Sequence, residues 1–478
     1  MLSFFHFFYT ERYNPIRQYA AYLSKSDARP FVLGLDGDHL VFLGQVNDTG
    51  GVKESLGRDL ARAMGGAPPL TPLPSSPYAT WSAPRGPLGW VPRTVHVELF
   101  LADDGRPPAS EPAHYRGLYL ASEHISRGKF KLDLPKPKDG DARTAAIATF
   151  LHGEKDPVRE GERERESTTQ EHVRAPLHPL AHALFVFFAQ DATTITGGST
   201  GKEWQVKWPD KAELTRAQAA SLAAELGAFE SALFEGPAPG ANSTAAGWRA
   251  HMDEASFIDW FLVTELWKVA KKSYHSASFL HKPAPGARLK MGPVWAQLQG
   301  AGTCCGYNFI SQPSGFNGPG RSGGSGVSSS GWLFSICRER APDGRPRCTP
   351  LDGPDGRSGY DVGNGLAVWF GEAFLGDPAF APAAAARWVQ LRSGPWSNEG
   401  VAGMVRTKRA LLTGGPLERT LARWPQFAKP WLGDSAAQTA AVFGGVATWT
   451  AARLAWMDGA FAQAADPASR GDPYPALY

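Results

Sequence analysis

The spacing of apolar and polar positions changes several times along this chain, and each change predicts an element. Over Val95-His96-Val97-Glu98-Leu99-Phe100 the two kinds alternate, as in a half-buried strand. The run Tyr115 to Ile125, YRGLYLASEHI, follows the turn-rich ADDGRPPASEPA and is predicted to be its hairpin partner. Before them, Lys53 to Met64 (KESLGRDLARAM) repeats Leu56, Leu60 and Met64 every four residues, an apolar helix face that Gly65-Gly66 ends. In LKMGPVW, residues 289–295, apolar residues point both ways apart from one lysine, the pattern of a central strand.

The later pattern is mostly helical. Thr215 with Gln218 makes a capping box before AQAASLAAELGAFESALF. A second helix is predicted from Ser256 to Ala270, with Phe257, Trp260, Phe261, Thr264 and Trp267 on one side. From Ala367 onward AVWFGEAFL, FAPAAAARWVQLR, GPLERTLARW and TWTAARLAWMDGAFAQA read as helices. Residues 153–175 carry charges of both signs without apolar periodicity, a solvated loop, and 312–331 are a Gly/Ser-rich loop. The chain shows no internal repeat. The expected fold class is α+β: a small β-rich N-terminal lobe with one helix over residues 1–150, and a larger, mainly helical C-terminal lobe over 151–478.

Composition narrows the class. A chain of 478 residues exceeds one typical domain, and 42% hydrophobic residues with 16 Trp and 26 Phe suit a sizeable core. The net charge of +3 lacks the clustered basic excess of a nucleic-acid binder, so no nucleic acid is expected as a partner. No stretch approaches the roughly eighteen apolar residues of a transmembrane segment. The start, MLSFFHFFYTERYNP, has neither a basic n-region nor a following small-residue cleavage site. It reads as the first strand of the fold, as the stump of a truncated one, or as a degraded signal peptide.

Cys304, Cys305, Cys337 and Cys348 fall in one loop-rich stretch. They are either free thiols in a reducing compartment or part of a disulfide-stabilised loop system. Cys337 and Cys348 flank RERAPDGRPR, a hairpin-like segment with Pro-Asp-Gly at its tip, and are expected to lie close enough to bridge. Without CxxC spacing or paired His, a zinc site is not expected.

The order and spacing of several stretches resemble the CotH family, the atypical kinase-fold proteins that include bacterial spore coat protein H. Phe31 to Met64 (FVLGLDGDHLVFLGQVNDTGGVKESLGRDLARAM), Arg93 to Leu134, Trp208 to Phe229, Ser256 to Trp295, Gly331-Trp332 and Trp369 to Trp388 carry the likeness. It covers nearly the whole chain, from Tyr13 to Phe461. It implies a two-lobed kinase-like fold whose N-terminal lobe is truncated here, since the family's opening "RGNSS" strand has no counterpart. Of the family's "PKKSYRI" only Pro15, Arg17 and Tyr19 remain, and Asn47-Asp48-Thr49 keeps the Asp of "NDK" without its Lys.

The resemblance also implies a catalytic apparatus that this chain lacks. After GPVW the family has "DFD" or "DFN", whose carboxylate would hold a divalent metal on the nucleotide's phosphates. Here the two positions are Ala296 and Leu298, and neither side chain ligates a hard cation. The family's "NVDAY" is VAKKSY, so Lys271 or Lys272, by two alignments one residue apart, replaces the catalytic Asp. The implied pocket lining is Arg17, Asp48, Glu123, Lys271, Lys272, Lys282, Trp295, Ala296 and Leu298, with Trp295 ending a buried strand, the following loop bordering the interlobe cleft, and Ala296 lining an empty nucleotide-like pocket together with Glu123 and Asp48. Each has a plainer reading: Glu123 as an ion pair holding its hairpin, Glu98 as structural, Arg17 as a surface arginine, Lys282 as a solvated lysine after a strand.

The expected function is therefore a catalytically impaired pseudokinase that binds or scaffolds a protein partner. The alternative is an active CotH-type protein kinase transferring phosphate from ATP, with magnesium or manganese, to Ser or Thr of a coat or surface protein. A decaying gene without selected function is a third reading. The sequence itself suggests the cytoplasm, whereas the family is often exported or coat-associated.

Overall fold

The runs expected to pair, Val95–Phe100 and Tyr115–Ile125, do form antiparallel partner strands, and a sheet grows from them. The structure, a computed structural model, describes residues 2–7, 18–23, 31–32, 35–36, 39–44, 48–66, 86–101, 114–129, 131–138, 140–151, 193–196, 203–234, 247–269, 278–302, 329–333, 339–340, 346–347, 366–425 and 435–465. β1 (Leu2–Phe7), β2 (Gln18–Leu23), β5 (His39–Leu43), β6 (Thr94–Phe100) and β7 (Tyr115–Glu123) form a five-stranded sheet in the order β1-β2-β5-β7-β6, every pair antiparallel. β3 (Phe31–Val32) and β4 (Leu35–Asp36) form a short hairpin beside it. Val97 stands opposite Tyr119, Glu98 opposite Leu118. Tyr119 and Ala121 bury one face of β7 with Leu40, Phe42 and Leu99. The other face, Leu118 and Leu120, meets Gly50 and Gly51, whose backbones come too close for any side chain. Both glycines have left-handed φ (74° and 67°), which turns the chain sharply from β5 into α1 (Val52–Ala63).

The second sheet is also five-stranded and antiparallel, in the order β12-β11-β8-β10-β9. Its strands are β8 (Ala146–Leu151), β9 (Thr193–Thr196), β10 (Glu203–Trp208), β11 (Phe279–Lys282) and β12 (Lys290–Met291). Its middle strand, β8, thus comes from the end of the segment 1–150. The 289–295 run differs from the expected central strand. Only Lys290 and Met291 form the strand, at the sheet's edge; Gly292 N–H still donates to the Phe279 carbonyl of β11 (2.8 Å), and the ladder stops at Pro293, which has no N–H to give. Its apolar residues are buried from both sides for another reason. On one side the chain meets the start of α3, where Asp253 N–H donates to the Leu289 carbonyl (2.8 Å) and Met291 N–H to Ser256 Oγ (3.2 Å); on the other Gly292 abuts Leu88.

Eight helices are described. α2 (Arg216–Phe234) starts at the capping box, with Gln218 N–H on Thr215 Oγ1 (3.2 Å) and Thr215 N–H on Gln218 Oε1 (3.0 Å). α3 (Glu254–Trp267) is capped by Asp253 and is buried all round from Ser256, not on one side. α4 (Ala367–Gly376), α5 (Phe380–Arg392), α6 (Asn398–Leu412), α7 (Pro416–Arg423) and α8 (Ser435–Ala465) follow. Phe257 stacks on Phe370 (ring centroids 4.3 Å apart) and meets Phe229 and Phe380 edge-on. Each such buried ring contributes roughly 1.5–3 kcal/mol, so α3 is the axis of the main core. β13 (Glu339–Arg340) and β14 (Pro346–Arg347) form the hairpin read from RERAPDGRPR; Cys304, Cys305, Cys337 and Cys348 lie outside the described residues. Among the described residues no helix is long and apolar enough to cross a membrane.

α7 performs a second task. β5 ends at Leu43 opposite Leu120, leaving the first residues of β7 without a strand on that side. Thr420 Oγ1 accepts Leu118 N–H (2.8 Å), Arg423 donates to the Tyr115 carbonyl (2.9 Å) and Trp424 Nε1 to the Arg116 carbonyl (2.9 Å). A helix from the far end of the chain thus satisfies the backbone groups that β5 leaves open.

Candidate functional site

α1 packs against α3, α6 and the loop after Trp295, and its polar residues are buried rather than solvated. Lys53, Glu54, Arg58 and Asp59 are each at most 3% exposed. Asp48 starts the network by capping the helix: Oδ1 accepts Lys53 N–H (2.9 Å) and Oδ2 accepts Glu54 N–H (2.8 Å), two donors that would otherwise lack partners. Glu54 Oε1 accepts from Arg58 Nε (2.7 Å). Arg58 Nη1 then reaches the first sheet at Ser122 Oγ (2.6 Å), and its guanidinium lies over the Trp295 ring, 4.2 Å from the centroid. One arginine therefore ties α1, β7 and the 295–298 loop together. Asp59 holds Lys408 of α6 (2.9 Å), both fully buried.

Ser122 and Glu123 are neighbours on a strand and point to opposite faces. Glu123, 0% exposed, is taken by Arg93: its Oε2 accepts the Arg93 backbone N–H (2.8 Å) and its Oε1 the guanidinium Nε (2.7 Å). That is the ion pair of the plainer reading, closing β7 onto the chain before β6. Glu98 is structural too, held by Arg419 and Tyr115. Lys282 is neither solvated nor beside Arg58. It is 2% exposed, paired with Glu225 of α2, and donates to the Ala287 carbonyl (3.0 Å). Arg17, Lys271 and Lys272 lie outside the described residues.

The loop after Trp295 has an unusual backbone. Ala296 sits at φ 56°, ψ 52°, a left-handed conformation uncommon for a residue with a Cβ. It opens a single 3-10 turn, Gln297–Gln299, packed against α1 where Gly57 leaves no room for a side chain. Gln297, 3% exposed, donates from Nε2 to the Trp295 carbonyl (2.9 Å), while its own carbonyl accepts Trp267 Nε1 (2.9 Å). Gln297 Oε1 and Glu54 Oε2 are buried without a hydrogen-bond partner. Leu298 is half-buried. Thus Asp48 and Trp295 belong to one network through Glu54 and Arg58. Glu123 pairs with Arg93 on the other face of β7. Arg58, Glu54, Asp59, Arg93, Lys408 and Gln297 were not singled out by sequence reasoning.

Burial pushes the Asp48 carboxyl up to about 6 and the Lys53 ammonium down to about 8, against the attraction between the two. Folded Asp48 thus binds a proton more readily than its unfolded counterpart. Its contribution to stability is fully present below the ordinary value of 3.8 and declines as pH rises to about 6. Asp48→Asn should remove this component. Urea midpoints of both proteins between about pH 4 and pH 6.5 check it: the difference curve is expected to slope, and a flat one would refute the assignment. No protein-family model matches the chain, and no curated protein matches it either.

Proposed function

We propose that the chain has a two-lobed kinase-like fold of the CotH type and acts as a catalytically impaired pseudokinase, a binding or scaffold protein for a protein partner. A five-stranded antiparallel sheet with one helix between its strands, followed by a mainly helical part, supports the fold. The observation that carries the function is the commitment of the carboxylates around α1. Asp48 caps the helix, Glu54 holds Arg58, Asp59 holds Lys408 and Glu123 holds Arg93. At the two positions where the resemblance puts metal ligands, Ala296 and Leu298 offer none, and the ring beside them carries a guanidinium. Metal-dependent phosphoryl transfer needs carboxylates free to face the ion.

The test is the metal-dependent part of nucleotide binding. Adding magnesium or manganese to ATP is expected to raise the protein's stability no further than ATP alone. A metal-dependent gain of about 2.7 kcal/mol, as for a ligand at a hundred times its dissociation constant, would overturn the reading. Ala296→Asp with Leu298→Asp should not create autophosphorylation, since Lys271 or Lys272 still stands at the catalytic position. Robust autophosphorylation by the unaltered chain, abolished by a chelator, would establish the active-kinase alternative.

A further inference from the structure

His96 and Glu98 stand two residues apart on β6 and so share one face of the first sheet. Opposite them on β7 are Leu120 and Leu118, the leucines that Gly51 and Gly50 press against, and Leu417 of α7 reaches Gly50 as well. Glu98 is taken by Arg419 of α7. His96 has no such partner. The residue is half-buried, on the edge strand, but its Nε2 is closed to water and makes no hydrogen bond. The ring faces the carbonyls of Gly50 and Gly51, and the charge that bears on it is the ammonium of Lys408, from α6. The carboxylates on the elements packed here are held elsewhere: Asp59 by Lys408, Asp48 by the first amides of α1, Glu418 by the amides that open α7.

A neutral imidazole suits this place and an imidazolium does not. A proton on Nε2 would have no acceptor, and the charge would lie beside an ammonium, away from water. The geometry points to an acid-sensitive clasp: we infer that uptake of a proton by His96 loosens the hold of α6 and α7 on the first sheet, so that the face carrying Leu118 and Leu120 opens in mild acid. Burial first, and Lys408 second, keep the ring well below its ordinary value of 6.5, against the pull of the two carbonyls. The closed clasp thus binds this proton less readily than the open one. Its stability is fully present above the ordinary value of 6.5 and falls below it, by about tenfold in the closing equilibrium for each pH unit. Asp48, pushed up to about 6, acts in the opposite sense, and His281 of the second sheet, pushed down to about 4, in the same one. The stability of the whole chain therefore does not isolate His96.

Hydrogen exchange of the full chain, read peptide by peptide in a mass spectrometer, does isolate it. Between about pH 7 and pH 5, after division by the intrinsic rate at each pH, exchange at the start of β7 and in α7 is expected to quicken roughly tenfold or more, while α3 does not follow. His96→Asn and His96→Phe do not titrate and should abolish the acceleration; Phe keeps a ring in the space and serves if Asn does not fold. If neither folds, the contrast of β7 and α7 with α3 in the unaltered chain still decides. Exchange in β7 and α7 that keeps to the intrinsic rate, or that quickens equally in the variants, would overturn the inference. An equal acceleration in α3 would do the same, because the whole fold and not the clasp would then answer to acid. Neither metal nor nucleotide enters, so the result stands apart from that of the kinase test.

Discussion

Arg453→Ala is expected to cost about 3–5 kcal/mol of stability, the usual range when one member of a buried ion pair is removed. Arg453 is 0% exposed and serves several acceptors. Nε and Nη2 donate to the Glu265 carbonyl (3.0 and 2.8 Å), Nη2 also to its carboxylate (3.2 Å), and Nη1 to the carbonyls of Ser329 (3.1 Å) and Gly331 (2.7 Å). It thereby caps the C-terminal end of α3, where the helix dipole favours a cation, and fixes the segment 329–333. Lys268 joins it through the Ser330 carbonyl (2.6 Å). Burial first, and Arg453 second, push that lysine well below its usual range. Removing Arg453 relieves this repulsion, so the loss should fall nearer 3 than 5. The urea midpoint at unchanged m-value measures it. Arg453→Lys should recover only part, because one ammonium cannot reach all these oxygens. A loss under about 1 kcal/mol would show that the arginine is not held as described.

Glu123→Ala should be nearly as damaging, about 3 kcal/mol or more, by leaving Arg93 buried and unpaired. Here the size of the effect decides between readings. A carboxylate held for a metal or nucleotide repels its surroundings until the ligand arrives, and its removal often stabilises the free protein. A carboxylate that closes a hairpin onto its neighbour does the reverse. Glu123→Ala with Arg93→Met should lose less than Glu123→Ala alone, since no charge is then stranded, and a double-mutant cycle gives the coupling. A neutral or stabilising Glu123→Ala would return Glu123 to the list of ligand-facing residues.

Much of the fold was legible because local signals and tertiary packing agree. The Thr215–Gln218 box, the strand over Val95–Phe100 and the Leu56, Leu60, Met64 face all appear where the sequence puts them, although Val95 to Glu98 are all part-buried instead of alternating. α6 was missed although Val401, Met404, Val405, Lys408 and Leu412 are spaced as a buried face. Gly400 and Gly403 weaken its propensity, and the buried lysine reads as solvent-facing until Asp59 is seen opposite it. α8 begins well before the predicted Thr448, across Gly444-Gly445, because packing overrides two poor helix formers. The candidate site was less legible for a related reason. KESLGRDLAR looks like a solvated face on one helix, and only a second sheet, α6 and Trp295 arriving from distant parts of the chain turn it into a buried network. The plain reading of Glu123 needed Arg93, thirty positions away and unremarkable by itself.

The clasp of α7 on β7 also bears on how the protein is made. Leu118 meets Thr420 across a sequence separation of 302 residues. A ribosome adding about 5–20 residues per second needs roughly 15–60 s to cover that interval. Throughout it, the start of β7 has its hydrogen-bonding groups open on the side where β5 stops, and Leu118 lacks the leucine of α7 that lies over Gly50. Unpaired strand edges beside apolar surface invite wrong pairing. The first sheet is thus an early product that must wait for the last third of the chain, and its nascent form is the one that calls for a chaperone's protection.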